Sequence, residues 1–139
     1  MSLTLAIIKP DAVAAGYSGK IISHLEAEGF KVCAMRMARL NRAQARAFYE
    51  VHEGRPFFDD LVEFMTSGPV IPTVLEADDA VRRLRDTIGA TDPDEADEGT
   101  IRKLYAESKG RNAIHASDSD ANAGIEISFF FSSYERLHL

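Results

Sequence analysis

The sequence predicts an α+β domain. Its centre is one four-stranded antiparallel sheet, with helices on one face and an added long loop before the last strand. Two observations lead there. Apolar stretches at residues 3–8, 30–40, 70–76 and 125–131 have the length of strands. Between the first three, apolar residues recur at helical spacing and are bounded by capping residues and glycines.

In chain order, Leu3-Thr4-Leu5-Ala6-Ile7-Ile8 reads as a buried strand, ended by Lys9-Pro10-Asp11. Lys9 therefore sits at the mouth of that strand. A helix follows over 18–28, with Ile21, Ile22 and Leu25 apolar and Gly29 as its C-terminal stop. Residues 30–40 form the second strand, with Val32 and Ala34 inward. Asn41 and Gln44 have the spacing of a capping box and open a helix carrying Ala45, Phe48, Tyr49 and His52. Arg55-Pro56-Phe57-Phe58 connects to a helix over 59–66, closed by Ser67-Gly68-Pro69. The third strand spans 70–76, although Pro72 cannot donate a ladder bond. Asp78-Asp79 opens a helix with Val81, Leu84 and Ile88 inward, ending at Gly89.

Residues 89–124 show little periodicity, which in a compact domain marks a functional segment. Within them, 92–98 is a solvated acidic run and 100–106 a helical turn. The last strand is placed at 125–131, with a short tail over 132–139. Stripped of additions the order is βαββαβ, the pattern of a ferredoxin-like sheet.

A chain of 139 residues fits one domain, 1–139. With 45% hydrophobic and 27% charged residues it has the composition of a soluble globular protein. No apolar run approaches a membrane span, and Met1-Ser2-Leu3-Thr4 lacks the basic and apolar start of a signal peptide. The lone Cys33 permits no internal disulfide and fits a reducing cytoplasm. A net charge of −6 argues against nucleic acid as the main ligand and against membrane association. Basic residues nonetheless cluster at Arg82, Arg83 and Arg85, at Arg102 and Lys103, and at Lys109 and Arg111, as in a pocket for a small polyanion.

The stretch Arg111-Asn112-Ala113-Ile114-His115-Ala116-Ser117-Asp118-Ser119 draws the most attention. It is too polar for a core element and too defined for a linker. Its imidazole can serve as base, metal ligand or nucleophile. Of the other histidines, His24 reads as surface or interface, His52 as packing and His138 as tail. No two histidines have metal-ligand spacing, which argues against a structural zinc.

Asn112-Ala113-Ile114-His115-Ala116-Ser117-Asp118 resembles the active-site signature of nucleoside diphosphate kinases. Five further motifs match that family in order: Ile8-Lys9-Pro10-Asp11, Arg55-Pro56-Phe57-Phe58, Ser67-Gly68-Pro69-Val70, Gly89-Ala90-Thr91-Asp92-Pro93 and Gly99-Thr100-Ile101-Arg102. Any one alone is weak; six in register are specific. The resemblance implies transfer of the terminal phosphate of a nucleoside triphosphate to a nucleoside diphosphate, by a ping-pong cycle through phosphohistidine at His115. It implies that Glu126, on the last strand, holds the other ring nitrogen and that Ser117 bonds this glutamate. Lys9 and Tyr49 match residues near the transferred phosphate. Arg85, Thr91 and Arg102 match those gripping the phosphate chain, and Asn112 the amide that bonds the sugar.

The base is expected to stack on Phe57 with Leu61 beside it. Stacking tolerates any base, so the expected partners are ATP, GTP, GDP and their deoxy forms. Mg²⁺ is the expected cofactor, with Asp118 reaching it through water. A homo-oligomer is implied, whether hexamer, tetramer or dimer. Lys109 stands where the family usually carries Val or Ile over the base, and its aliphatic stem can cover the ring. Ala116 stands where glycine is commoner, and the short tail resembles bacterial forms. The alternatives are a nucleotide-binding or scaffold protein of the same fold without turnover, and a histidine phosphocarrier or nucleotidyl hydrolase on another fold. The first predicts loss of His115, Glu126, Lys9 or Arg102, all of which are present.

Overall fold

The computed structural model describes residues 1–136. The strands β1 (Ser2–Ile8), β2 (Lys31–Met35), β3 (Ile71–Ala77) and β4 (Ile114–Ala116) form one antiparallel sheet in the order β2-β3-β1-β4. The helices are α1 (Pro10–Ala14), α2 (Ser18–Ala27), α3 (Arg42–Phe48), α4 (Phe58–Met65), α5 (Ala80–Ile88), α6 (Ile101–Tyr105), α7 (Asp120–Phe130) and α8 (Ser133–Arg136). A 3-10 turn covers Glu50–His52. The α+β class and the four-stranded sheet are those the sequence predicts. The expected tail histidine, His138, lies outside the described residues.

Alternation along β1 sends successive side chains to opposite faces. Ala6 and Ile8 join Leu75, Ile114 and Ala116 in a core with Ile21 and Leu25 of α2 and Leu84 and Ile88 of α5. This is the expected helical layer. Leu5, Ile7 and Val74 join a second core with Ala45 of α3, Val62 and Met65 of α4, and Ile127 of α7. Helices thus cover both faces, because the sheet is apolar on both. Each fully buried Leu or Ile contributes roughly 1.5–3 kcal/mol.

Local signals place several elements as expected. Asn41 accepts from the Gln44 backbone N–H at 2.8 Å and Gln44 returns the bond at 2.9 Å, completing the capping box of α3. β3 stays regular through Pro72, which pairs with Ile7 in register. Its carbonyl accepts from Arg36 N–H at 3.2 Å, just past the end of β2, so the missing donor falls where that ladder has stopped. β2 is shorter than 30–40 because its register shifts between Val32 and Ala34; a single bridge, Ala38 to Val70, continues it.

The last strand is a correction. Residues 125–131 are not a strand but the body of α7 and its end. Ser119 caps this helix by accepting from Asn122 N–H at 3.1 Å. Ala123, Ile127 and Phe131, four residues apart, are its buried stripe. A short apolar run fits either period, and Ile125, Phe129 and Phe130 make the other faces of this helix apolar as well. The fourth strand is instead Ile114-His115-Ala116, paired Ile8 to Ile114, Ile7 to His115 and Ala6 to Ala116. The stretch read as too polar for the core holds Asn112, Ala113, Ile114, Ala116 and Ser117 buried.

Candidate active site

β4 is three residues long, so its middle side chain faces away from Ile114 and Ala116. His115 therefore enters the α3–α7 side of the sheet. Its Nε2 lies 2.7 Å from Glu126 Oε1, and the Ser117 hydroxyl donates to the same oxygen at 2.8 Å. Glu126 reaches the ring from α7, not from a strand as expected. The pairing survives because α7 packs directly across β1, the neighbour of β4. With Nε2 donating to a carboxylate, the lone pair of the neutral ring is on Nδ1. Phe48 and Tyr49 wall the ring edge-on, with centroids 5.4 and 6.0 Å away. Burial lowers the His115 pKa; the bond and charge of Glu126 oppose this, and Lys9 and Arg102 reinforce it. The side chain keeps 18% exposure, a narrow opening for one reacting group.

Lys9 follows β1, and its backbone N–H donates to Ala113 carbonyl at 2.8 Å. Its Nζ donates to Asn112 Oδ1 at 2.9 Å. Burial first, then the Arg102 charge, pulls Lys9 down to about 8, with Asp11 acting in the opposite sense. Arg102, on α6, is also buried. It donates to the carbonyls of Asn112 (3.4 Å), Gly89 (3.1 Å) and Ile114 (2.7 Å). A guanidinium has five N–H groups, so two stay available for another acceptor. Burial and neighbouring Arg85 lower its pKa to about 10.

Arg85, Gly89, Thr91, Thr100 and Arg102 line one cleft of about 310 Å³. Arg85 is exposed on α5, and its Nη1 lies 3.5 Å from Ala116 carbonyl. Asn112 Nδ2 donates to Thr91 carbonyl at 3.4 Å, joining the loop after α5 to the segment before β4. Gly89 has φ 86°, and a Cβ there would stand 2.6 Å from Thr100 Oγ1. The other clustered cations are used elsewhere. Arg82 faces Asp79 and Asp86, Arg83 donates to Glu28 carbonyl, and Lys103 to Pro93 carbonyl.

Phe57 caps α4 and is 49% exposed, a poor place for a core aromatic. Leu61 and Phe64 follow at i+4 and i+7, half-buried on the same helix face. The Arg111 guanidinium lies 5.4 Å from the Phe64 ring centroid, which brings the loop carrying exposed Lys109 against α4. Phe57 meets His52 edge-on at 5.3 Å, and His52 stacks with Tyr49 at 6.3 Å. An unbroken row of rings thus runs from Phe57 to His115. Tyr49 is buried and its hydroxyl has no hydrogen-bond partner among the described residues; burial, then the Glu126 charge, raises its pKa.

Asp118 is exposed and accepts from Asn122 Nδ2 at 2.6 Å. That bond lowers its pKa, helped by Arg85 and His115 nearby. Among the described residues no three His, Cys, Asp or Glu side chains cluster as a metal cage. A single hydrated carboxylate beside the arginines fits a metal carried on phosphate, not one resident in the protein.

Two residues at the site carry no sequence signal of their own. Phe48 lay on a helix with a ready explanation as packing. Asp11 sat in a motif where Lys9 drew the attention, yet its carboxylate accepts from Ala113 N–H at 3.0 Å across 102 positions of sequence.

Comparison with known proteins agrees with this geometry. A family model described as nucleoside diphosphate kinase matches residues 2–136. The chain is 56% identical to a nucleoside diphosphate kinase of Chloroherpeton thalassium over 97% of this chain and 96% of that protein. It is 51% identical to one from Persephonella marina over 95% and 94%. The Aquifex aeolicus nucleoside diphosphate kinase structure superposes with TM-score 0.94 at 49% identity, covering 96% of this chain and 97% of that one. A halophilic nucleoside diphosphate kinase from Halobacterium salinarum, solved in complex with CDP, superposes with TM-score 0.93 at 41% identity, covering 96% and 90%.

Proposed function

The chain belongs to the nucleoside diphosphate kinase family, and from that membership we propose that His115 is the residue through which its phosphate passes. Its activity is that of the family: a nucleotide-binding phosphotransferase that moves the terminal phosphate of a nucleoside triphosphate to a nucleoside diphosphate. The observation that carries the proposal is the Ser117–Glu126–His115 chain, with bonds of 2.8 and 2.7 Å.

Glu126 keeps the ring proton on Nε2, so Nδ1 attacks the terminal phosphorus without first losing a proton. A new N–P bond forms as the bond from phosphorus to the bridging oxygen breaks, and the nucleoside diphosphate leaves with that electron pair. The ring becomes cationic, and the Glu126 carboxylate offsets the charge. A second nucleoside diphosphate then attacks phosphorus and the N–P pair returns to the ring. Positioning and charge neutralisation supply the catalysis. Lys9 and Tyr49 serve the transferred group. Arg85, Arg102 and Thr91 hold the phosphate chain, Asn112 the sugar, and Phe57 with Leu61 the base. An exposed ring face accepts any base, which supports broad specificity over ribo and deoxy forms of ATP, GTP and GDP. Mg²⁺ would neutralise phosphate oxygens, and Asp118 is the residue that would hold it, through water. A homo-oligomer in the cytoplasm completes the reading. No described helix is long and apolar enough to cross a membrane.

Incubation with γ-labelled ATP and Mg²⁺ tests it. The expected label is acid-labile and base-stable, chases onto added GDP, and is lost in His115→Ala. Absence of label on the wild type, or its persistence in that variant, overturns the assignment.

A further inference from the structure

Ala113 has φ 73°, a left-handed backbone that a residue with a Cβ rarely adopts. Ile114 N–H donates to Asn112 carbonyl at 2.9 Å, closing a three-residue γ-turn around it. Such a turn is strained and persists only when its surroundings over-determine it. Among the restraints from outside the segment, one is a side-chain acceptor for the Ala113 N–H itself. Asp11, buried in α1, accepts from Ala113 N–H at 3.0 Å through Oδ2. The flanking carbonyl of Ala113 is taken by Lys9 N–H at 2.8 Å.

The turn lies between two working groups. Asn112, before it, accepts from Lys9 Nζ. His115, two residues after it, meets Glu126. A relaxed Ala113 would rotate one against the other. A neutral acceptor would suffice for one amide bond, yet Asp11 carries a second buried oxygen, Oδ1, with no hydrogen-bond partner among the described residues. A carboxylate kept there without a second bond points to a use for its charge. The charges of Asp11 and Arg102 both act on Lys9, in opposite senses, and those of Lys9 and Arg102 act on His115.

We propose that Asp11 is a positioning residue for phosphoryl transfer: it clamps the γ-turn at Ala113 that aligns Asn112 with His115, and it holds Lys9 as an ammonium. This rests on His115 being the nucleophile, and the label experiment on wild type and His115→Ala tests that premise separately.

The test uses Asp11→Ala and Asp11→Asn in the full chain, with rapid-quench phosphorylation at saturating nucleoside triphosphate as readout. Asp11→Ala loses both clamp and charge and is expected to phosphorylate roughly 10- to 100-fold more slowly, the cost of a hydrogen bond to a charged group. Asp11→Asn keeps an oxygen for Ala113 N–H and loses only charge. It is expected to fold like the wild type, to be slowed less, and to show its alkaline rate limb at lower pH. If both variants phosphorylate within twofold of wild type below their melting temperatures, Asp11 is only a structural acceptor and the proposal fails. If Asp11→Ala does not fold, Asp11→Asn decides alone: an unshifted alkaline limb overturns the charge role and with it the proposal.

Discussion

At the residue scale, the cycle we propose for His115 and Lys9 uses two titratable groups held away from their ordinary values. His115 attacks only when neutral, and burial lowers its pKa below the usual 6.5. The neutral ring therefore persists as pH falls through 6.5, and the acid limb of kcat/KM lies below that value. Lys9 serves as a cation and loses its proton as pH rises through about 8. The expected profile of kcat/KM is a bell whose alkaline limb falls near 8. Bound phosphate favours the charged lysine, so the limb in kcat lies higher than that in kcat/KM. An alkaline limb near 10.5 in both parameters contradicts the burial of Lys9. Glu126→Ala removes the acceptor of the ring N–H. It is expected to slow His115 phosphorylation roughly 10- to 100-fold, a loss of about 1.5–3 kcal/mol, read by rapid quench.

At the base the relevant residue is Lys109. Its loop packs on α4 through Arg111 and Phe64, close to the Phe57 shelf. Lys109→Val replaces a solvated stem with the branched side chain usual in the family. Tighter nucleoside diphosphate binding by calorimetry is the expected result; an unchanged Kd means the stem already covers the ring.

At the scale of elements, two junctions fix the cleft. The capping box between Asn41 and Gln44 starts α3, which carries Phe48 to the His115 ring. Asn41→Ala is expected to cost about 1 kcal/mol, measured by urea unfolding, with little effect on turnover. Gly89 ends α5 with φ 86° against Thr100, beside Arg85 and Arg102. Gly89→Ala combines a left-handed backbone with a Cβ at 2.6 Å and is expected to cost about 2 kcal/mol. Because Gly89 carbonyl also accepts from Arg102, that variant should lose nucleotide affinity as well as stability. A fall in stability with unchanged Kd separates the turn from the cleft.

α7 marks what a local pattern can hide. Residues 125–131 alternate well enough for a strand, and the stretch 111–119 reads as too polar for a core element. The sheet resolves both: β1 offers its open edge to Ile114–Ala116, and Ile127 and Phe131, on α7 and at its end, cover Leu5 and Ile7. Secondary structure here was decided by which surface each segment found, not by propensity.

At the scale of the molecule, binding and chemistry are separable. A nucleoside diphosphate at 100 times its Kd stabilises the fold by about 2.7 kcal/mol. His115→Ala should keep this rise in Tm while losing the phosphohistidine, since in the proposed site Phe57, Arg85 and Arg102 hold nucleotide without it. Loss of the thermal shift in His115→Ala places His115 in binding instead.

The sequence by itself determined the family, the α+β class and the places of the first three strands, and it brought forward His115, Ser117 and Glu126 as candidates. Those rest on residue types at fixed spacing: the Asn112–Asp118 signature, Lys9 behind a strand, Asn41 before a helix. Only the tertiary structure decided that His115 stands on a strand and Glu126 on a helix, that Arg102 spends three bonds on backbone carbonyls, and that Asp11 reaches Ala113. The physical reason is that a short segment's burial and hydrogen-bond partners lie far along the chain. Strand pairing with β1, and the packing of α7 across it, bring them within hydrogen-bond reach.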